Sequence, residues 1–97
     1  MATYLIFSSW TQQGIQNVKE SPARLDAAKQ AAKAAGGEIK AVYLVTGEYD
    51  TVTIVDAPND ETLARLLITT GMQGNLRTQT VRAFTEDEFR RIIASLP

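Results

Sequence analysis

Tyr49-Asp50 is the pair of residues in this chain best placed to do chemistry. A carboxylate that follows an aromatic residue into a β-rich run is partly withdrawn from water, which raises its pKa unless a cation or backbone amides compensate. Asp50 could then hold a ligand amine or take a proton. It could equally bond the amides of its own turn, the commoner use of Asp in hairpins. Glu48 lies two positions earlier and would share its strand face. Two carboxylates suit acid–base work or a hard cation, but two oxygen donors without a third nearby are too few for a metal, and none is expected. Arg77, Arg82 and Lys19 are the basic candidates. The two arginines differ by an odd number of positions, so a regular strand sends them to opposite faces. A buried Arg needs a partner, for which Asp50 or Asp56 would serve; an ion pair at a sheet edge is the plainer alternative. Trp10, Tyr4 and Tyr43 could line a pocket for a flat ligand or simply pack in a core or interface. Trp10-Thr11, just ahead of Gly14, marks a pocket mouth. Together these features place an expected ligand site at Trp10, Thr11, Tyr49, Asp50, Arg77 and Arg82.

Other chemistries are missing. The 97 residues contain no cysteine and no histidine, which removes disulfides, thiol nucleophiles, Cys-type metal sites and the usual neutral-pH proton shuttle. Without a Ser-His or Cys-His pair, familiar hydrolytic catalysis is excluded. Gly71-Met72-Gln73-Gly74 has neither the Lys-Ser/Thr of a phosphate loop nor the glycine spacing of a dinucleotide fold, and no cofactor is expected. The residues leave open whether the chain is an enzyme. Ten basic and eleven acidic side chains give a net charge of −1 with no basic stripe, so no nucleic-acid partner is expected. The apolar start, Met1 to Trp10, is too short to span a bilayer and lacks the features of a signal peptide, which gives a cytoplasmic, membrane-free expectation.

The elements that must position these residues read clearly. Residues 1–97 fit one domain, 44% hydrophobic and 22% charged, with a modest core. Ala2 to Trp10 is a strand with apolar groups on both faces. Thr11 caps a short helical turn, with Ile15 and Val18 inward. Ser21-Pro22 starts a helix, Ser at the N-cap and Pro at the first helical position, running through seven alanines from Ala23 to Ala35, with Leu25 its largest anchor, until Gly36-Gly37 ends it. Glu38 to Thr46 and Tyr49 to Ala57 are strands joined at Gly47-Glu48. In the second, Val52 and Ile54 face one way and Thr51, Thr53 and Val55 the other; the half-polar face suggests a cover that is not a dry core. Asn59 caps a helix with Leu63, Leu66, Leu67 and Thr70 on one stripe, broken by Gly71 to Gly74. Asn75 to Phe84 is the fourth strand. Thr85-Glu86-Asp87-Glu88 is a capping box, and Phe89, Ile92, Ile93 and Leu96 follow as a strong final-helix stripe.

The order is β-α-β-β-α-β plus a C-terminal helix. Short connections and right-handed crossovers give an α+β, ferredoxin-like sandwich with helices on one face of a four-stranded antiparallel sheet. The other face, carrying half of the apolar strand residues, is too large to leave in water, so a homo-oligomer packed face to face is expected.

Gly47-Glu48-Tyr49-Asp50, with Trp10-Thr11-x-x-Gly14, Ser21-Pro22-x-Arg24, Gly36-Gly37 and Arg82-Ala83-Phe84-Thr85-Glu86-Asp87-Glu88, resembles the GYD-domain family over essentially the whole chain. These are small bacterial proteins named for the Gly-x-Tyr-Asp signature. The resemblance implies the dimeric α/β-barrel superfamily and no particular activity. A weaker one, to the effector domain of Lrp/AsnC-type regulators, rests on Gly47, Tyr49 and Asp50, then Gly74, then Thr78 and Thr80. There the hairpin lies by a subunit interface that binds small metabolites. This chain has no helix-turn-helix domain, so the analogy implies a stand-alone binding module.

The leading expectation is therefore a small-molecule-binding homo-oligomer. The alternative is a cofactor-independent enzyme, monooxygenase- or isomerase-like, working through Asp50, Glu48, Tyr49 or Lys19; a cavity of roughly 300 Å³ holding a carboxylate would favour it. A purely structural assembly subunit is the third. An RNA-recognition module shares the element order, but residues Asp50 to Asp56 offer no aromatic for base stacking.

Overall fold

Alternation decides which strand residues enter the core. In the computed structural model, which describes residues 1–97, the first strand, β1 (Ala2–Trp10), buries Tyr4, Ile6 and Ser8 and leaves Thr3, Leu5, Phe7 and Ser9 on the opposite face. It pairs antiparallel on one side with β3 (Thr51–Ala57) and on the other with β4 (Leu76–Ala83); β2 (Glu38–Leu44) extends β3, giving the order β2-β3-β1-β4. Two helices, α2 (Ser21–Ala34) and α3 (Asp60–Met72), pack on one face of this sheet. The expected ferredoxin-like α+β arrangement is what forms.

The local signals place the helix ends. Thr11 Oγ1 accepts from the Gly14 amide and caps the short α1 (Gln12–Gln16). A 3-10 turn, Val18–Glu20, then runs into α2, so Ser21 is its first helical residue and not its N-cap; Pro22 still sits where its missing N–H costs nothing. Gly36 takes φ +86° at the end of α2. Asn59 caps α3 through the Thr62 amide at 2.8 Å. Both bonds of the Thr85–Glu88 capping box are present at the start of α4 (Glu86–Ala94).

Three features differ from the pattern reading. β2 and β3 are shorter than expected, ending at Leu44 and starting at Thr51, although the Val45 amide still reaches the Asp50 carbonyl at 2.9 Å and Gly47, at φ +142°, occupies the tip. A register shift at Lys40 lets Ile39 and Val42 face the helices, while Ala41 and Tyr43 face away. The half-polar face of β3 is the one the helices cover: Val55 and Ala57 are buried there, and Thr51 and Thr53 sit half-buried beside them. Threonine methyls pack against helices as valine methyls do, so apolar content alone did not name the inward face.

The core is small. Tyr4, Ile6, Val55, Ala57 and Leu63 form its centre, and eight of the 97 residues are buried in all. The apolar stripe of α4 belongs to no core. Phe89, Ile92, Ile93 and Leu96 are each roughly half exposed, and α4 makes at most marginal contact with the other elements. The molecule is accordingly elongated, 52 × 31 × 18 Å, with a radius of gyration of 14.6 Å, against about 12.5 Å for a compact domain of this length.

Candidate functional site

The β2–β3 hairpin folds back over the open face of the sheet. Tyr49 lies against Phe7 with ring centroids 5.0 Å apart and planes tilted by 41°, and its hydroxyl donates to Gln79 Oε1 on β4. Its side chain therefore reaches across β1, an aromatic strap over that end of the bare face. Asp50 turns the other way into hydrogen bonding with the backbone: Oδ2 accepts from the Trp10 amide at 3.0 Å, and its own amide donates to the Ser8 carbonyl at 2.9 Å. The hairpin is thus pinned to the last residues of β1. Asp50 meets a backbone amide rather than a free cation.

The Trp10-Thr11-x-x-Gly14 segment forms a second joint. The Thr11 amide donates to the Asn75 carbonyl at 3.0 Å, Thr11 Oγ1 donates to the Gly74 carbonyl at 2.6 Å, and Gln13 Nε2 reaches the Gln73 carbonyl at 3.0 Å. Gly14 is buried here because a Cβ would stand 2.0 Å from the Asn75 carbonyl oxygen. Gly74, at φ +79°, supplies the turn that presents these carbonyls.

Of the six residues expected to form a ligand site, Trp10, Thr11, Tyr49 and Asp50 therefore lie together at one end of the sheet. Arg77 stands opposite Ser9 on the open face, near the same end. Arg82 does not join them. It pairs with Tyr4 at the far end and on the helix side, so the odd spacing of the arginines does send them to opposite faces.

Arg82 instead borders a groove of about 310 Å³ between α3 and β4, lined by Tyr4, Asp60, Leu63, Ala64, Leu67, Thr80 and Arg82. The Tyr4 hydroxyl donates to Asp60 Oδ1, and the Arg82 guanidinium lies 5.7 Å from the Tyr4 ring centre and 4.4 Å from that of Phe84. The hydrogen bond to Asp60, then burial, raises the Tyr4 pKa above its ordinary 10.0. Arg82 also faces Glu88 of α4 at 3.6 Å. Hydrogen bonds from Thr85, its backbone amide foremost, hold the Glu88 carboxyl below its ordinary value of 4.5, with Arg82 adding to them. Thr80 Oγ1 is buried without a hydrogen-bond partner, the one such side-chain atom in the chain. Sequence reasoning had Arg82, Tyr4 as a pocket-lining aromatic and Thr80 only through the weaker resemblance, but not the Tyr4–Asp60 bond. Asp60 lies in the first turn of α3, where an acid suits the helix dipole, and nothing local announces a phenol 56 residues away.

No cluster of three or more acidic side chains is arranged to hold a metal ion. No helix is long and apolar enough to cross a membrane.

The strap, the Gly14 joint and the capping box carry the residues of the Gly-x-Tyr-Asp signature and its companions, and the GYD domain model matches residues 4–93. The chain belongs to the GYD domain family. Among curated proteins it is 30% identical, over 84 residues covering 86% of this chain and 88% of the relative, to the "Glutamine synthetase and cystathionine beta-lyase binding protein" of Thermus thermophilus. Among solved structures it resembles a crystal structure of a Thermus thermophilus protein at 26% identity with a TM-score of 0.51, over 88% of this chain and 95% of that one.

Proposed function

We propose that this GYD-domain chain is a homo-oligomeric binding protein whose partners are other proteins, enzymes of the kind named for its Thermus relative. The observation that carries this reading is the amount of ordered apolar surface that the chain covers only in part, the Tyr49 strap being its one cover on the open sheet face. Leu5, Phe7, Val52, Ile54, Tyr43 and Val81 share the open sheet face, Tyr43 at 58% exposure, and α4 presents a second apolar stripe. Two such surfaces on a chain with eight buried residues exceed what a monomer keeps in water. One suits self-association, which leaves surface for a partner.

The polar groups at the hairpin end support binding more than catalysis. Asp50 and Tyr49 each have a partner within the chain, a use in holding the hairpin. Light scattering should find the protein larger than one chain. Interferometry against purified glutamine synthetase and cystathionine β-lyase should show saturable binding, weakened by Val81→Lys on the open face. Absence of binding to both enzymes overturns the partner reading.

A second reading, a small-metabolite site or cofactor-independent enzyme, is favoured by one observation: the 310 Å³ groove holds the Asp60 carboxylate beside the Tyr4 phenol. A thermal-shift screen with Asp60→Asn as control tests it. A metabolite that raises the wild-type melting temperature but not that of Asp60→Asn would support it.

A further inference from the structure

The α3–β4 groove holds two opposite charges that do not meet. Asp60 stands on its helix wall and Arg82 on its strand wall. They form no ion pair with each other, and Asp60 forms none with any cation of the chain. Asp60 Oδ1 takes the Tyr4 hydroxyl, which leaves Oδ2 free. Arg82 spends Nη1 on the Thr3 and Ala83 carbonyls, and its Nη2 comes no closer to Glu88 than 3.6 Å. Thr80 also lines the groove, and its buried Oγ1 has no hydrogen-bond partner. The rest of the wall is apolar, from Leu63, Ala64 and Leu67.

We propose that this groove is a binding site for a free α-amino acid with an aliphatic side chain. The ammonium meets Asp60, the carboxylate lies toward Arg82 and Thr80, and the side chain runs along α3. The proposal rests on the metabolite reading above and names the class of ligand.

Charge decides between the simpler candidates. An aliphatic acid would set its carboxylate near Asp60, and an aliphatic amine would set its ammonium near Arg82; like charges side by side weaken either. A phosphate ester would bring two negative charges to one arginine that already faces Glu88. A molecule with both charges on one carbon meets both walls at once. Thr80 and Arg82 lie two positions apart on β4 and share its helix-side face, a spacing of about 7 Å that a carboxylate can straddle. One rotation of Thr80 about χ1 turns its unmet hydroxyl toward that acceptor.

Size and polarity set the side chain. The volume of about 310 Å³ is at the low end for ligand pockets, which suits an amino acid and excludes a nucleotide. From Leu63 to Leu67 the apolar wall is one helical turn, a rise of about 6 Å that matches a branched side chain of about four carbons.

The test is an NMR titration of isotope-labelled protein with leucine and with two analogues that each lack one charge. 4-Methylpentanoate lacks the ammonium and 3-methylbutylamine lacks the carboxylate. Leucine should shift the resonances of Ala64, Leu67 and Thr80. Each analogue should bind about tenfold or more weakly, because it forfeits a charged contact. Glycine, with both charges and no side chain, should lose about as much. Asp60→Asn keeps an oxygen for the Tyr4 hydroxyl, so it should keep the wild-type circular dichroism while erasing the advantage of leucine over 4-methylpentanoate. Equal binding of leucine and either analogue to the wild type would overturn the amino-acid assignment and leave a metabolite site of one charge. Shifts confined to Trp10, Tyr49 and Asp50 would overturn the groove as the site. Failure of leucine, valine and methionine alike to shift any resonance at millimolar concentration would overturn the proposal. The metabolite reading would then stand or fall on the wider thermal-shift screen.

Discussion

At the hairpin end of the sheet the signature residues have partners within the chain. Asp50 meets the Trp10 amide, Tyr49 meets Gln79, Thr11 meets Gly74, and Gly14 lets α1 touch the Asn75 carbonyl. At the α3–β4–α4 end the ledger is open: Thr80 Oγ1 has no partner, Arg82 shares itself among two rings and Glu88, and α4 covers nothing. Yet the family signature sits at the closed end. Signature residues here build joints that hold the strand ends in place, whereas the residues free to meet another molecule are spread along β4, α3 and α4.

The sharpest way to break the comparison is at Gly14. A methyl group there would stand 2.0 Å from backbone that α1 and the Gly74 turn both hold, with no flexible side chain to give way. Gly14→Ala should cost about 3 kcal/mol or more in a urea melt. A loss within experimental error would mean that the joint is slack and that the closed end is not a scaffold.

Asp50 comes next. Asp50→Ala strands the Trp10 amide and should cost about 1–3 kcal/mol, while Asp50→Asn keeps an acceptor oxygen and should retain most of the stability. If Asp50→Asn remains stable but loses binding of a partner or metabolite, the charge has a use beyond the hairpin, and the two ends are less different than they look.

How much of this was legible follows the range of each interaction. The caps at Thr11, Asn59 and Thr85, the left-handed Gly36 and the hairpin tip at Gly47 depend on residues within a few positions of one another, and each could be read directly. Strand order followed from connection lengths and handedness. The inward face of β3 could not be read from its threonines, because their methyls pack like those of valine. The Tyr4–Asp60 bond and the Thr3–Asp56 bond join residues more than fifty positions apart, and no local signal encodes such a meeting. The stripe of α4 was legible as a stripe, but the chain packs little against it.

Tyr4 links the ends of that argument to pH. Its folded pKa lies above the ordinary 10.0, so the hydrogen bond to Asp60 contributes stability in full below pH 10, and that contribution is lost as pH rises through the folded value. Tyr4→Phe should cost about 1 kcal/mol at neutral pH, and the gap between variant and wild type should close in alkali. A gap constant from pH 7 to pH 11 in parallel melts would show that the phenol and carboxylate are not coupled, removing one of the polar features of the groove.

The smallest effect carries the sign that matters most. Thr80→Val replaces the unmet hydroxyl with a methyl of similar shape. The buried oxygen has no partner within the chain, so its removal should stabilise the fold by up to about 1 kcal/mol in a urea melt. A loss of stability instead would show that the hydroxyl has found a partner, and that the α3–β4 end is as closed as the hairpin end.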